Sequence, residues 1–236
     1  MRIILIAVFF LTTQICLSQD IAEFFTNADA VFNTYVKNGK VSYKKIKTNP
    51  AKLDQALASA KDITVKSSNP ATYKSFWINA YNLAVIKGIV DNYPVKSPMD
   101  IPGFFDKKEY DLGGKKVTLN TIENEYLRAK FPDEARFHFV LVCAGLGCPP
   151  IIDEAYKPQD LKTQLEEQTK LALNNPEFIK VNSKNVEVSE IFKWYKEDFD
   201  SQGGTLAFIN RYRTNKLPSE TELSYYSYNW DLNEIK

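Results

Sequence analysis

Apolar residues recur every three to four positions over several stretches of the chain, the spacing that places them on one face of a helix. This spacing predicts helices over residues 21–36, 50–60 and 71–90, and Asn-Pro pairs at 49–50 and 69–70 mark the starts of the second and third. The third helix is apolar on nearly every side, so we expect it at the centre of the fold. Further helices are predicted over 120–128, from about 158 to 174, after Ser189, and over 205–211.

Shorter apolar stretches bounded by turn residues predict strands. The Gly113-Gly114 pair marks the turn of a hairpin over residues 110–119, and residues 182–185 mark the turn of a second hairpin. The aromatic run 224–231 predicts a closing strand. Because helices and strand pairs are mixed rather than strictly alternating, the predicted fold class is α+β. We expect a single domain over residues 19–236, with several helices packed on a small mixed or antiparallel sheet with hairpins.

The stretch from Ala135 to Pro150 concentrates the reactive side chains. It holds the only histidine, His138, and two of the three cysteines, Cys143 and Cys148. Residues 137–142 are apolar apart from the histidine, which predicts a short strand buried on both faces. In a regular strand His138 and Cys143 would point to opposite faces, which argues against a direct catalytic pair.

Charge and the amino-terminal sequence narrow the class of protein. Lys plus Arg number 30 against 29 Asp plus Glu, which leaves no basic field for nucleic acid. Residues 3–11 form an apolar run after Arg2 that is too short to span a bilayer comfortably, a pattern typical of a secretory signal peptide. Small residues at Cys16 and Ser18 place the expected cleavage after Ser18, so residues 1–18 are expected to be removed.

The mature protein is therefore expected in the periplasm or outside the cell. Cys16 could instead carry the lipid of a lipoprotein, but residues 13–15 lack the small side chains expected before such a cysteine. No second apolar run of spanning length follows, so we expect no integral membrane segment after signal cleavage. The expected partner is a small molecule or a cell-envelope peptide.

Four stretches taken together resemble a known family. They are Phe-Trp-Ile-Asn-Ala-Tyr-Asn at 76–82, Asn-Tyr-Pro-Val-Lys-Ser at 92–97, the 137–150 stretch with its histidine and cysteines, and Ile-Phe-Lys-Trp-Tyr with Asp-Phe within 191–199. This combination resembles the family catalogued as domain of unknown function 547, found in exported bacterial proteins and in plant proteins. The resemblance runs from about residue 67 to 213 and implies a single domain of that family. The family has no agreed activity, so the chemistry rests on the residues.

Cys143 and Cys148 allow two interpretations. The four intervening residues let the sulfurs meet, and disulfides persist in an oxidising compartment. Alternatively, either cysteine is a thiolate nucleophile activated by a neighbouring base. One histidine and two cysteines without the spacing of a zinc site predict neither a metal site nor a cofactor.

His138 is either a hydrogen-bonded core histidine or a general acid or base. In the second case we expect Glu123 or Asp198 to orient it. Glu123 has a simpler explanation too, because Asn120 three residues earlier gives the spacing of a capping box.

The central helix carries a line of polar side chains on an otherwise apolar surface. Ser75, Asn79 and Asn82 follow one another at helical spacing, and buried amides need hydrogen-bond partners. Those partners are either a structural network or a ligand. Core packing explains Trp77 and Tyr81 on the adjoining face of the helix. If the amides instead bind a ligand, Trp77 and Tyr81 would line the same binding site.

Two functions remain open on the sequence. The first is a thiol-dependent hydrolase or acyl transferase, with Cys143 or Cys148 as nucleophile and His138 as proton carrier. Asn79, Asn82 or Glu123 would orient the base or stabilise an oxyanion. The second is a non-enzymatic cell-envelope binding module that a Cys143–Cys148 disulfide staples. Its ligand would be held by the groove at Asn79 and Asn82 or by the proline-rich loop at Phe104 and Phe105. The state of the two sulfurs distinguishes them.

Overall fold

The computed structural model describes residues 20–182 and 185–236. The predicted signal peptide, with Cys16, lies outside the described residues. The first described helix, α1, spans residues 20–35 and confirms the first predicted helix. The other α-helices are α2 (Tyr43–Thr48), α3 (Ala51–Ala60), α4 (Pro70–Asn92), α5 (Leu161–Asn174), α6 (Ile191–Trp194), α7 (Lys196–Asp200) and α8 (Thr205–Tyr212).

Helix α4 is the centre of the larger core, as its pattern predicts. The Asn69 side chain accepts a hydrogen bond from the Thr72 backbone N–H, and Pro70 occupies the first turn, where no amide donor is needed. From Phe76 to Ile86 every side chain is buried, because helices α2 and α3, the hairpin and the 121–128 helix surround α4. This burial on all sides explains why apolar residues occupy nearly every side of the helix.

In the part of the chain that the structure describes, three small sheets accompany the helices, and this mixture confirms the α+β class. Two of them are antiparallel pairs, and the third joins a hairpin to a parallel strand from the end of the chain. The Gly113-Gly114 turn has φ values of 66° and 72°, the left-handed region that glycine tolerates. The strands are β1 (Val36–Lys37), β2 (Lys40–Val41), β3 (Tyr110–Leu112), β4 (Lys115–Val117), β5 (Ile179–Val181), β6 (Val186–Ser189) and β7 (Leu223–Tyr226).

The strand predicted over residues 137–142 is wrong. Residues Ala135–Phe139 form a short 3-10 helix, and the chain continues without regular structure to residue 150. The backbone groups that a neighbouring strand would have paired are used elsewhere. The Asn82 side chain of α4 donates to the carbonyl of Val140 at 2.9 Å and accepts from the N–H of Val142 at 3.1 Å.

The capping box predicted at Asn120 is also wrong. Residues Thr121–Arg128 form a π-helix, and the Asn120 side chain makes no capping hydrogen bond. The wider turn of a π-helix moves each side chain away from its α-helical position. Glu123 consequently faces two tyrosines rather than the backbone of Asn120. The closing strand is shorter than predicted, since β7 ends at Tyr226.

The apolar side chains form two clusters, one around α4 and a smaller one around Phe139, Phe192, Phe199 and Phe208. Cys148 packs partly against both clusters, so the 135–150 stretch lies where they meet. Within the described part of the chain, helices of membrane-spanning length and apolarity are absent.

Candidate functional site

A cavity of about 260 Å³ opens at the junction of the two apolar clusters. We call it the aromatic pocket. Its polar lining includes Glu123, His138 and the two sulfurs, so four of the predicted catalytic residues border one space. Its aromatic lining consists of Tyr81, Phe105, Trp194, Tyr195, Tyr228 and Trp230.

Glu123 is held in the pocket wall by two tyrosine hydroxyls. Tyr195 donates to Oε1 at 2.6 Å, and Tyr81 donates to Oε2 at 3.3 Å. Burial and the adjacent carboxylate raise the pKa of both tyrosines well above the ordinary value of 10. Both hydroxyls therefore stay protonated and act as donors, which fixes the orientation of the carboxylate.

His138 is bonded to Asp198, one of the two orienting residues that the sequence proposes. The distance from Nε2 to Oδ2 is 2.7 Å, and the imidazole side chain is 3% exposed. An ionised carboxylate only accepts hydrogen bonds, so Nε2 carries the proton in this contact. The imidazole also stacks on Tyr195, with ring centroids 4.0 Å apart. Its orientation is therefore fixed from two directions.

Arg128 completes this network from the π-helix. Its guanidinium donates to both Asp198 oxygens, at 2.7 Å and 3.0 Å, and lies over the Tyr195 ring with 4.7 Å between carbon Cζ and the ring centroid. Burial alone would raise the pKa of Asp198, but hydrogen bonds from His138 and Arg128 outweigh it and lower that pKa well below its usual range. Asp198 is accordingly ionised at neutral pH.

Cys143 and Cys148 are bonded to each other, with 6.3 Å between their Cα atoms. The Tyr228 hydroxyl lies 2.8 Å from the Cys143 sulfur and donates to the Cys148 sulfur at 2.9 Å. Burial raises the pKa of Tyr228 far above its ordinary value, so this hydroxyl remains a donor. The disulfide and its tyrosine form one wall of the aromatic pocket.

The loop that the disulfide closes is tied to the end of the chain. The backbone N–H of Leu146 donates to Asp231, and that of Gly147 donates to Asn229. A methyl group added to Gly147 would lie 2.9 Å from the Asn229 nitrogen, so this close approach requires glycine. The contacts hold Tyr228 and Trp230 against the pocket.

The remaining predicted site residues divide between the pocket and the core. Tyr81 lines the aromatic pocket, whereas Trp77 borders a separate surface depression near Tyr126. The Asn79 amide exchanges two hydrogen bonds with the backbone of Tyr156, and Asn82 spans Val140 and Val142 as described above. Both amides thus belong to a structural hydrogen-bond network, which is one of the two explanations that the sequence allows. Neither amide lines the aromatic pocket.

Several pocket residues were not identified from the sequence. The sequence explains Trp194 and Tyr195 by packing and the closing aromatic run by a strand, whereas the loop at Phe104 and Phe105 is one of the two places it proposes for a ligand. The alternation of Tyr226, Tyr228 and Trp230 contains a usable signal, because residues two apart in an extended chain lie on the same side. Tyr228 and Trp230 indeed face one pocket.

Residues 65–171 match the sequence model of a family described as "Protein of unknown function, DUF547". This part of the chain is similar to the DUF547 family. The match covers α4, the π-helix and the disulfide loop, and ends within α5, short of the residue 213 expected from the sequence. The DUF547 match thus contains Glu123, His138 and both cysteines, while Asp198, Trp194, Tyr228 and Trp230 lie outside it. Neither curated proteins nor solved structures gave a match to this chain.

Proposed function

We propose that this protein is an exported binding module that holds a small molecule in the aromatic pocket. The observation that carries the proposal is the composition of that pocket, six aromatic side chains around a fixed carboxylate, with a disulfide as one wall. Apolar and aromatic walls with a few oriented polar groups are typical of small-molecule sites. Export is part of the proposal, because a disulfide persists in an oxidising compartment.

The bonded sulfurs favour binding over thiol chemistry. A nucleophilic cysteine acts as a thiolate, and a cysteine in a disulfide has none to offer. The first test is therefore alkylation with iodoacetamide of native protein that begins at Gln19. The intact mass of the protein is then measured. We expect no label without reductant and two labels after reduction. Full labelling of the native protein without reductant would exclude the Cys143–Cys148 disulfide from the proposal.

Binding itself can be followed by tryptophan fluorescence. Two of the three tryptophans, Trp194 and Trp230, line the pocket, while Trp77 is buried elsewhere. We would titrate choline, 3,3-dimethylbutan-1-ol, benzoate and N-acetylglucosamine at up to millimolar concentrations. At least one should change the fluorescence saturably.

The matched variants are Trp194→Ala and Tyr225→Ala, because Trp194 is 46% exposed within the pocket and Tyr225 is 40% exposed outside it. Trp194→Ala should reduce the fluorescence response and weaken binding measured by calorimetry at least tenfold, whereas Tyr225→Ala should leave both unchanged. The proposal fails if none of the four compounds binds, or if binding is indifferent to Trp194.

A thiol hydrolase or acyl transferase is the second candidate, because Cys143, Cys148, His138 and Glu123 border the same pocket. This function requires the reduced protein. A freed thiolate would attack the carbonyl of p-nitrophenyl acetate, form a thioester and release p-nitrophenolate. Cys143→Ser and Cys148→Ser each remove one candidate nucleophile, and His138→Ala removes the proton carrier. Reduced protein whose p-nitrophenolate release is unaffected by all three changes would exclude it.

A further inference from the structure

We propose that the aromatic pocket selects an organic cation, with Glu123 and the ring faces of Trp194, Tyr228 and Trp230 holding an ammonium group. This inference rests on the proposed binding function and adds the chemical class of the ligand. Three features of the site support it: the charge of its lining, the unused acceptor capacity of Glu123, and the arrangement of its aromatic rings.

The charge of the lining is negative. Among residues 20–182 and 185–236, neither Lys nor Arg borders the aromatic pocket, whereas Glu123 does. Arg128 is the cation nearby, and its guanidinium is paired with both oxygens of Asp198. The charges of Arg128 and Asp198 offset each other, so within the described ranges the negative charge of Glu123 has no paired cation. An anionic ligand would meet this carboxylate at short range, which disfavours it.

Glu123 keeps acceptor capacity for a ligand. Each carboxylate oxygen can accept two hydrogen bonds, and each receives one, from Tyr81 or Tyr195. Those two bonds orient the Glu123 carboxylate towards the pocket before a ligand arrives. Binding therefore requires no further ordering of this side chain. An ammonium N–H, or the positive charge of a quaternary ammonium, complements the remaining acceptor positions.

The aromatic rings supply the second half of the site. Tyr228 lies 4.9 Å from Trp194 and 4.6 Å from Trp230, and the two indoles are nearly parallel at 19° with centroids 6.0 Å apart. Aromatic faces carry negative electrostatic potential and attract cations, tryptophan most strongly. Trp194 remains 46% exposed at the pocket. A ligand that covers this indole removes apolar surface from water as well.

A matched pair of probes tests the charge directly. Choline and 3,3-dimethylbutan-1-ol have nearly the same shape, and only choline is positively charged. We expect choline to bind at least tenfold more tightly than the neutral alcohol, measured by calorimetry and tryptophan fluorescence. Benzoate should bind more weakly than either. Raising the salt concentration should weaken choline binding and leave the alcohol unaffected.

Glu123→Gln tests the assigned residue, because glutamine keeps the size and one acceptor oxygen but removes the charge. We expect choline affinity to fall at least tenfold while the affinity for 3,3-dimethylbutan-1-ol stays within twofold. Glu125→Gln is the control, since Glu125 is an exposed carboxylate on the same π-helix outside the pocket. It should leave both affinities unchanged.

The outcomes separate this inference from the proposed function. If the alcohol or benzoate binds in a Trp194-dependent manner as tightly as choline, the cation inference is overturned and the binding function stands. If no compound binds, the binding function itself fails. Because the choline and alcohol comparison uses the unaltered protein, it decides the question even if Glu123→Gln does not fold.

Discussion

Glu123 and Asp198 differ in charge environment although both are positioned around Tyr195. Tyr195 donates its hydroxyl to Glu123, and its ring contacts both His138 and Arg128, which both bind Asp198. Asp198 is surrounded by charged or strongly polar donors and serves as an anchor. Among the residues that the structure describes, the donors to Glu123 are the neutral hydroxyls of Tyr81 and Tyr195, so its charge remains available. The two carboxylates therefore have different roles, that of an anchor for Asp198 and that of an available charge for Glu123.

The lowered pKa of Asp198 predicts a pH-dependent contribution to stability. Its folded-state pKa lies below the ordinary value of 3.8, so the carboxylate stabilises the fold above about pH 4 and this contribution is lost as pH falls further. Asp198→Asn should lower the free energy of unfolding at pH 7 and at pH 5 by the same amount. At pH 3 the difference from the unaltered protein should shrink.

Urea unfolding followed by circular dichroism measures this difference at the three pH values. Asp111→Asn is the control, because Asp111 is exposed on β3. It should show no comparable loss at pH 7. A deficit for Asp198→Asn that stays constant down to pH 3 would contradict the assigned charge contacts.

At the element scale, the disulfide loop and the end of the chain stabilise each other. The loop between Cys143 and Cys148 forms backbone hydrogen bonds with residues 229–233, and the same segment carries Tyr228 and Trp230 into the pocket. Neither segment has a regular secondary structure that would hold it independently. One covalent bond therefore supports a wall built from two irregular segments.

Removing that bond should cost stability and ligand affinity together. The Cys143→Ala, Cys148→Ala double variant should lose about 2 kcal/mol of unfolding free energy, the loop-closure entropy of a short cross-link. Choline affinity should fall as well, because Tyr228 loses its sulfur contacts. Urea unfolding and calorimetry measure the two effects, and the reduced unaltered protein is the matched comparison. Unchanged stability in both would show that the bond does not restrain this wall.

At the scale of the whole molecule, the aromatic pocket joins two apolar clusters. Tyr81 and Leu141 belong to the cluster around α4, whereas Ile191 and Tyr228 belong to the smaller one, and all four line the pocket. A ligand held there contacts both clusters at once. Its binding should therefore stabilise the junction and with it the whole fold.

Choline at ten times its dissociation constant should raise the free energy of unfolding by about 1.4 kcal/mol, the amount set by mass action for a ligand that binds only the folded state. Thermal and urea unfolding should shift in a single transition. Sodium chloride at equal ionic strength is the control. A shift confined to tryptophan fluorescence, with no change in the far-ultraviolet signal, would contradict coupling between the clusters.

Local signals in the sequence were sufficient for most elements. The helix at α4, the hairpin at Gly113-Gly114 and the second hairpin follow from capping residues, periodicity and turn chemistry that act within a few positions. Asp198 as a partner of His138 was also among the sequence-based proposals. These features depend on short-range preferences, which the order of residues specifies directly.

The tertiary structure decided the features that make the site. The Asn82 side chain forms hydrogen bonds with the backbone of Val140 and Val142, which lie 58 and 60 positions further along the chain. Because these backbone groups are paired with Asn82, residues 137–142 form a 3-10 helix and a loop instead of the predicted strand. Tyr195 reaches Glu123 from 72 positions away and draws it from the predicted cap into the pocket. A buried polar group bonds to whatever partner the packed fold brings within reach, and periodicity along the chain carries no information about partners so distant in sequence.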